Sequence, residues 1–153
     1  MRALELKIPP PLVALLVAAA MWGISVPASR FEISEMVRYV AVFTIAIVGV
    51  GFAASGVLAF RRAHTTINPH KPGDATSLVS SGVFRLTRNP MYLGLSIVLL
   101  AWALFLSSAW VFLGPFAFVL YIDRFQIAPE ERVLSQLFGP AFAEYQSKVR
   151  RWL

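Results

Sequence analysis

The sequence predicts an all-α integral membrane protein: one helical bundle of about four transmembrane helices, followed by a C-terminal interfacial helix. Of its 153 residues, 58% are hydrophobic and only 14% are charged, whereas a soluble domain is about 45–50% apolar and about 25% charged. The charged residues leave three long uncharged segments between them. The formal net charge of +6 is typical of a protein whose membrane spans have basic cytoplasmic flanks.

Each uncharged segment is long enough for one or two membrane helices. Residues 8–29 and 39–60 match the roughly 20 residues that cross the hydrocarbon of a bilayer, so each holds one helix. Residues 89–122 are too long for one helix, and we predict two that are separated by a turn at Ser107-Ser108. The four predicted helices lie near 9–28, 36–61, 89–107 and 109–127.

A further helix is predicted over about residues 129–149. Its apolar residues recur at helical spacing and are Leu134, Leu137, Phe138, Phe142 and Tyr145. Pro140 should break or kink this helix after Gly139, because proline cannot donate the backbone hydrogen bond of a helix interior. The amphipathic pattern favours a position on the membrane surface.

The first segment has an alternative interpretation as a cleaved signal peptide. Arg2 and Lys7 precede an apolar stretch, and Val26-Pro27-Ala28 offers small residues at a cleavage site. The three prolines from Pro9 and the length of the uncharged segment favour a first membrane helix instead.

The distribution of Lys and Arg predicts which segments face the cytoplasm. Residues 61–88 carry five Lys or Arg and one Asp, and residues 123–153 carry another five Lys or Arg. The short loop 28–38 carries two Arg that two Glu offset. The positive-inside rule therefore places the long connection, the tail and the N-terminus in the cytoplasm. We expect a multi-pass protein of a bacterial inner membrane.

Composition and spacing also exclude several kinds of site. The absence of cysteine rules out a thiolate nucleophile and Cys-ligated zinc or iron–sulfur centres. His64 and His70 lie in a loop, and no metal site is predicted. Gly49 and Ala53 form a small pair within an apolar helix, where another helix can approach closely, and no strand precedes them as in a nucleotide-binding fold. Since the positive charge flanks membrane spans, no nucleic-acid partner is expected.

Polar residues concentrate before the third helix and after the fourth. Adjacent glutamates, Glu130 and Glu131, follow Pro129 directly. They are typical of an acidic first turn that complements a helix N-terminus, with proline at the first helical position. Alternatively, they pair with the basic connection or bind a ligand.

Several separated motifs follow one another over about residues 65–152, and these are Arg88-Asn89-Pro90-Met91-Tyr92-Leu93-Gly94, Glu130-Glu131, Phe138-Gly139, Tyr145 and Arg151-Trp152. Taken together and in this order, they resemble the isoprenylcysteine carboxyl methyltransferase and phospholipid methyltransferase superfamily. Two positions depart from the family pattern. Asn89 stands where eukaryotic-type members usually have His, and Gln126 stands where members often have Arg, with Arg124 nearest.

The resemblance implies S-adenosylmethionine as the cofactor and a set of residues that bind it. That set is Arg88, Asn89, Pro90, Tyr92, Leu93, Gly94, Glu130 and Glu131, with Arg124, Glu130 and Glu131 as the catalytic candidates. The Tyr92 ring would face the sulfonium, and Gly94 would leave room for the ligand. Arg85, Arg88 or Arg124 would bind the carboxylate of the donor. We favour Glu130 for its ammonium and expect Arg124 to hold Glu131.

The resemblance further implies methyl transfer to a lipophilic acceptor, either isoprenylcysteine carboxylate-like or phospholipid amine-like, at the cytoplasmic face. The partners would be membrane lipids and a lipophilic or lipidated substrate. We treat residues 1–153 as one domain, with an N-terminal helical hairpin in 1–62 and the cofactor-binding part in 63–153. The alternatives are an NADPH-dependent membrane sterol or steroid reductase and a non-catalytic four-helix scaffold.

Overall fold

A computed structural model describes residues 5–28, 31–63 and 76–153, and every regular element in these ranges is helical. The all-α class is therefore confirmed for the described part of the chain, while His64 and His70 lie outside it. The five longer helices are α1 (Pro10–Ser25), α2 (Glu35–Arg62), α3 (Pro90–Leu106), α4 (Leu113–Ile122) and α5 (Ala128–Lys148). Single 3₁₀ turns cover Gly82–Arg85 and Ala109–Phe112, and a π-helical turn covers Asp123–Ile127.

Helix α3 contacts α1, α2 and α4, and its contact with α2 is the most extensive. The contact with α2 is close: a Cβ added at Gly94 would lie 2.5 Å from the carbonyl oxygen of Gly49 and 2.7 Å from the amide nitrogen of Ala53. The close approach predicted for the Gly49/Ala53 pair is confirmed, with α3 as its partner. The division of the domain at residue 62 stays a prediction.

Two apolar clusters hold the helices together. The larger joins α1, α3, α4 and the π-helical turn, and its most deeply buried side chains are Met21, Ala103, Val111, Phe118, Ile122 and Ile127. The smaller cluster joins the 3₁₀ turn before α3 to α5 through Phe84, Phe142 and Tyr145, where the Tyr145 hydroxyl donates to the carbonyl oxygen of Phe84 at 2.7 Å.

Among the described residues, two helical stretches are long and apolar enough to cross a membrane, namely α2 and Ala109–Lys148. Helices α1 and α3 are apolar but have only 16 and 17 residues, so four membrane crossings stay a prediction. The stretch Ala109–Lys148 has 40 residues, about twice the roughly 20 that cross the hydrocarbon of a bilayer, and Gly139 interrupts it. Its uncharged part ends at Ile122, and α5 carries charges. The position of α5 at the membrane surface stays a prediction.

The predicted turn at Ser107-Ser108 is confirmed, since α3 ends at Leu106 and Ser107 adopts a left-handed conformation (φ 54°). The predicted separation of the fourth helix from the tail helix is wrong, because the π-helical turn connects α4 to α5 without a break. A π turn inserts one extra residue into a helix without ending it. Here it carries the helix past the charged Asp123. The predicted break at Gly139 is confirmed: its backbone has φ 46° and ψ −121°, which only glycine adopts at low cost.

Candidate functional site

Three segments that are distant in sequence meet at one end of the bundle. They are the turn that leads into α3, the π-helical turn with the start of α5, and the C-terminal tail after α5. Pro90 lies at the first turn of α3, where its missing N–H is not needed by the helix. The motifs that carry the sequence resemblance are therefore brought together, and their side chains form two adjacent clusters.

The tail after α5 lies along the turn before α3 and is hydrogen-bonded to it. The carbonyl oxygen of Arg151 accepts from Asn89 Nδ2 at 2.9 Å and from Thr87 Oγ1 at 3.2 Å. The backbone N–H of Arg88 donates to the carbonyl oxygen of Arg150 at 3.0 Å. Asn89 is thus engaged in holding the tail in place.

The first cluster is an ion-pair network around Glu131. Arg88 Nη2 lies 2.8 Å from Glu131 Oε1, and the two side chains are only 13% and 14% exposed. Arg151 pairs with Glu131 and also with Asp123, whose two carboxylate oxygens each lie 3.0 Å from Arg151 Nη1. Trp152 Nε1 donates to Asp123 at 3.3 Å. Two carboxylates and two guanidinium groups compensate each other in this network.

The hydrogen bonds of Arg151 raise its own pKa and hold the tail in position. Its bonds to Glu131, and then those to Asp123, hold the pKa of Arg151 above its ordinary value. Arg88 reaches the tail as well, since its guanidinium donates to the carbonyl oxygens of Val149 and Gln146. Both arginines therefore connect the tail to the body of the protein.

The second cluster surrounds Glu130 and contains neutral donors. The Tyr92 hydroxyl donates to Glu130 Oε1 at 2.7 Å, and Gln126 Nε2 donates to the same oxygen at 2.7 Å. Tyr92 is 7% exposed, Gln126 is 2% exposed, and Glu130 is partly buried. Among the residues that the structure describes, no Lys or Arg forms an ion pair with Glu130. Burial raises the pKa of Glu130 to about 7, while the hydrogen bonds from Tyr92 and Gln126 lower it, so the charged form is stabilised by hydrogen bonds without a compensating cation.

The remaining predicted donor-binding residues are used mostly for packing. Pro90 and Leu93 are buried, and Pro90 packs close to Gly56 of α2. The backbone of α2 fills the space beside Gly94. This corrects the expectation that Gly94 leaves room for a ligand, because the absent side chain is needed for helix packing.

Arg124 lies apart from both glutamates. Its side chain is 52% exposed and pairs with Glu5 at 3.6 Å, and Arg132 also pairs with Glu5. The expectation that Arg124 holds Glu131 is therefore wrong. In the π-helical turn Asp123 faces the C-terminal tail, while Arg124 faces the N-terminal segment.

Sequence reasoning missed two members of the site. No role in the site was predicted for Asp123, and Gln126 stood out only as a departure from the family pattern. The position of Gln126 four residues before Glu130 was the available signal, because residues at this spacing contact each other on a helix. Within residues 5–28, 31–63 and 76–153, no three His, Cys, Asp or Glu side chains are grouped as a metal site requires.

Comparison with known proteins agrees with the motifs. A family model described as phospholipid methyltransferase matches residues 37–141, a range that includes Tyr92, Gln126 and both glutamates. A protein of Haemophilus influenzae that is described only as uncharacterized is 49% identical over 63 residues, which are 41% of this chain and 100% of that protein. No solved structure matches.

Proposed function

The chain belongs to the phospholipid methyltransferase family, and we propose that it transfers a methyl group from S-adenosylmethionine to a lipophilic acceptor at the cytoplasmic face of the membrane. Family membership indicates a methyltransferase with a lipid-like acceptor and favours this over the reductase and scaffold alternatives. The identity of the donor, the site that binds it and the side of the membrane are the proposed parts.

The observation that carries the proposal is the uncompensated carboxylate of Glu130. A carboxylate that is partly removed from water is costly unless a cation or hydrogen bonds stabilise it. Tyr92 and Gln126 supply hydrogen bonds but no positive charge. The site therefore suits a ligand that brings its own cation, such as the ammonium group of S-adenosylmethionine. Glu131 is already paired with two guanidinium groups, so we assign the ammonium to Glu130.

The hydroxyl and the ring of Tyr92 have separate proposed roles. Its hydroxyl donates to Glu130 and orients that carboxylate. Its ring belongs to the larger apolar cluster and is largely removed from water, a setting in which a tyrosine face stabilises a cation by about 2 kcal/mol. We propose that the ring faces the sulfonium of the donor.

The carboxylate of the donor requires a cation. The candidates Arg85, Arg88 and Arg124 differ in how far other groups already engage them. Arg88 is engaged with Glu131 and with two backbone carbonyl groups of the tail. Arg124 pairs with Glu5 through an exposed contact, and Arg85 is exposed. We propose Arg85 for this role, because Arg124 lies apart from Glu130, whereas the ammonium and the carboxylate of the donor share one carbon atom. Single Arg85→Ala and Arg124→Ala variants test this choice, because only the first should weaken donor binding.

The chemistry proposed for these residues is binding and positioning. When bound, S-adenosylmethionine supplies an already activated methyl group on its sulfonium. Holding donor and acceptor in line contributes up to roughly 7–11 kcal/mol to lowering the barrier. A carboxylate or thiolate acceptor needs no general base, whereas an amine must first be neutral. The donor would enter from the cytoplasm, and the lipophilic acceptor would enter laterally from the lipid.

The proposed topology is a separate prediction with its own test. Residues 61–88 and 123–153 should face the cytoplasm together. Because the chain has no cysteine, single Ser77→Cys and Ser147→Cys variants provide clean labelling sites. In intact cells an impermeant thiol reagent should label neither variant, and it should label both after lysis. Labelling from outside would overturn the cytoplasmic location of the site.

Binding calorimetry in detergent tests the choice of donor directly. The purified protein should bind S-adenosylhomocysteine and should not bind NADPH. Binding of NADPH alone would favour a reductase, and binding of neither would leave only a scaffold. Incubation with isotope-labelled donor and a host lipid extract, followed by mass spectrometry, then identifies the acceptor.

A further inference from the structure

Gln126 is a buried polar residue in an unusual backbone setting. It lies in the π-helical turn Asp123–Ile127, between Phe125 and the fully buried Ile127. Only 2% of Gln126 is exposed. Single π turns within α-helices occur frequently at functional sites, because the extra residue re-aims the side chains around it. Here the turn directs the amide of Gln126 towards the next turn of the helix.

The partner of that amide is one specific oxygen of Glu130. Gln126 Nε2 and the Tyr92 hydroxyl both donate to Oε1, each at 2.7 Å. Two donors from different helices on one oxygen fix the orientation of the carboxylate group. They also leave Oε2 as the oxygen that a ligand can use.

We propose that Gln126 is a positioning residue that orients Glu130, so that Oε2 meets the ammonium of the donor while the negative charge of the carboxylate remains uncompensated. This inference rests on the proposed function, because it assumes that Glu130 binds the ammonium. Neither the family match nor the resemblance gives Gln126 a role in binding the donor.

A neutral amide suits this role better than a charged side chain. A guanidinium at this position would itself neutralise the carboxylate, as Arg88 and Arg151 do for Glu131. An amide stabilises the carboxylate through a hydrogen bond and leaves its charge for the ligand. Fixing the orientation before binding also removes the cost of ordering the side chain when the ligand arrives.

The test is a Gln126→Met substitution, which keeps the length of the side chain and removes the amide. Affinity for S-adenosylhomocysteine should fall about three- to tenfold, the range for one lost hydrogen bond. The KM for S-adenosylmethionine should rise by a similar factor while kcat at saturating donor is retained, because the ammonium is remote from the methyl group. Ile127→Met is the matched control, since it changes the neighbouring buried residue and should change neither value.

A double-mutant cycle distinguishes positioning from packing. In a Glu130→Gln background the effect of Gln126→Met on affinity should disappear, because the carboxylate that Gln126 orients is gone. An equal loss in both backgrounds would overturn the proposal and show that Gln126 only packs. Gln126→Asn, which withdraws the amide by one methylene group, repeats the cycle with a polar side chain and should also lose affinity.

The outcomes separate this inference from the proposed function. If Glu130→Gln alone leaves affinity for S-adenosylhomocysteine unchanged, the proposed donor site is wrong, and with it the part given to Gln126. If Glu130→Gln weakens binding but Gln126→Met and Gln126→Asn do not, only the inference about Gln126 is overturned.

Discussion

Glu130 and Glu131 are adjacent in sequence and in the same helical turn, yet their surroundings differ completely. Glu131 lies among two arginines and Asp123, whereas Glu130 is bound by a tyrosine hydroxyl and a glutamine amide. Neighbouring residues on a helix point about 100° apart, so the two carboxylates face different elements. The comparison shows that two residues of the same type in one helical turn can differ in whether a cation compensates their charge.

The network around Glu131 also explains why the tail after α5 belongs to the site. Arg151 lies in that tail and connects Glu131 to Asp123, so it joins the π-helical turn to α5. Arg88 connects Glu131 to the backbone of the same tail. We therefore assign structural stabilisation to the Glu131 cluster and ligand binding to the Glu130 cluster.

The largest expected effect is that of Glu130→Gln on donor binding. Removing the charge leaves the ammonium of the ligand without a counterion in a partly dry site. Loss of one partner of such a pair costs about 2–5 kcal/mol of binding, which is a decrease in affinity of about thirtyfold or more. Calorimetry with S-adenosylhomocysteine measures it, and thermal unfolding should change little.

Glu131→Gln is the counterpart that can contradict this assignment. It should lower thermal stability clearly and donor affinity much less than Glu130→Gln does. If the two variants lose affinity equally, the distinction between the clusters is wrong. If both bind normally, neither glutamate binds the donor and the pair has only a structural role.

The second prediction concerns the stability of the Glu131 cluster. Arg151→Gln leaves Asp123 and Glu131 with one cation fewer between them. Loss of hydrogen bonds to charged groups costs about 1.5–3 kcal/mol each, and Arg151 is 34% exposed, so we expect the lower part of that range for the free energy of unfolding. Denaturant titration in detergent measures it, and hydrogen exchange should rise at Val149 to Trp152.

Arg150→Gln provides the matched control, because Arg150 is the exposed neighbour of Arg151 in the same tail. Its free energy of unfolding should stay close to that of the unchanged protein. An equal loss in both variants would mean that the tail is held by its general positive charge rather than by the specific contacts of Arg151.

Most of the fold followed from the sequence because it depends on local signals. Uncharged segments, the Ser107-Ser108 turn and the Gly139 break could each be located from composition and backbone chemistry. The π-helical turn was not predicted, because no local signal of this kind marks Asp123–Ile127. For the same reason the partner of Glu131 was misassigned to Arg124, which is nearer in sequence than Arg88 or Arg151.

The sequence predicted which residues come together in the site, but it did not predict the role of each one. The motif order identified Tyr92, Arg88 and the glutamates together. Gly94 was expected beside a ligand, yet its missing side chain accommodates α2. A glycine has the same sequence signature in both roles, and only the packing of the helices distinguishes them.

A third, smaller effect is expected for Arg88→Lys. Lysine keeps the positive charge beside Glu131 but cannot reproduce the planar fork that reaches both Glu131 and the tail carbonyl groups. The free energy of unfolding should fall by about 1 kcal/mol. Arg85→Lys, at an exposed position three residues earlier, should leave stability unchanged. Equal stability of Arg88→Lys and the unchanged protein would show that charge alone suffices in the network.

The smallest effect is expected for Tyr92→Phe, which tests how much the hydroxyl and the ring of Tyr92 each contribute to donor binding. The substitution removes the hydroxyl donor to Glu130 and keeps the ring. Gln126 still binds the same oxygen, so affinity for S-adenosylhomocysteine should fall by only about threefold, at the low end of the range for one hydrogen bond. Because S-adenosylhomocysteine lacks the sulfonium, the ring should matter for S-adenosylmethionine in particular. Tyr92→Ala should therefore weaken S-adenosylmethionine further, by about thirtyfold for a desolvated cation–π contact of about 2 kcal/mol. If Phe and Ala variants weaken both ligands equally, the hydroxyl carries the whole contribution of Tyr92, and the ring does not face the sulfonium.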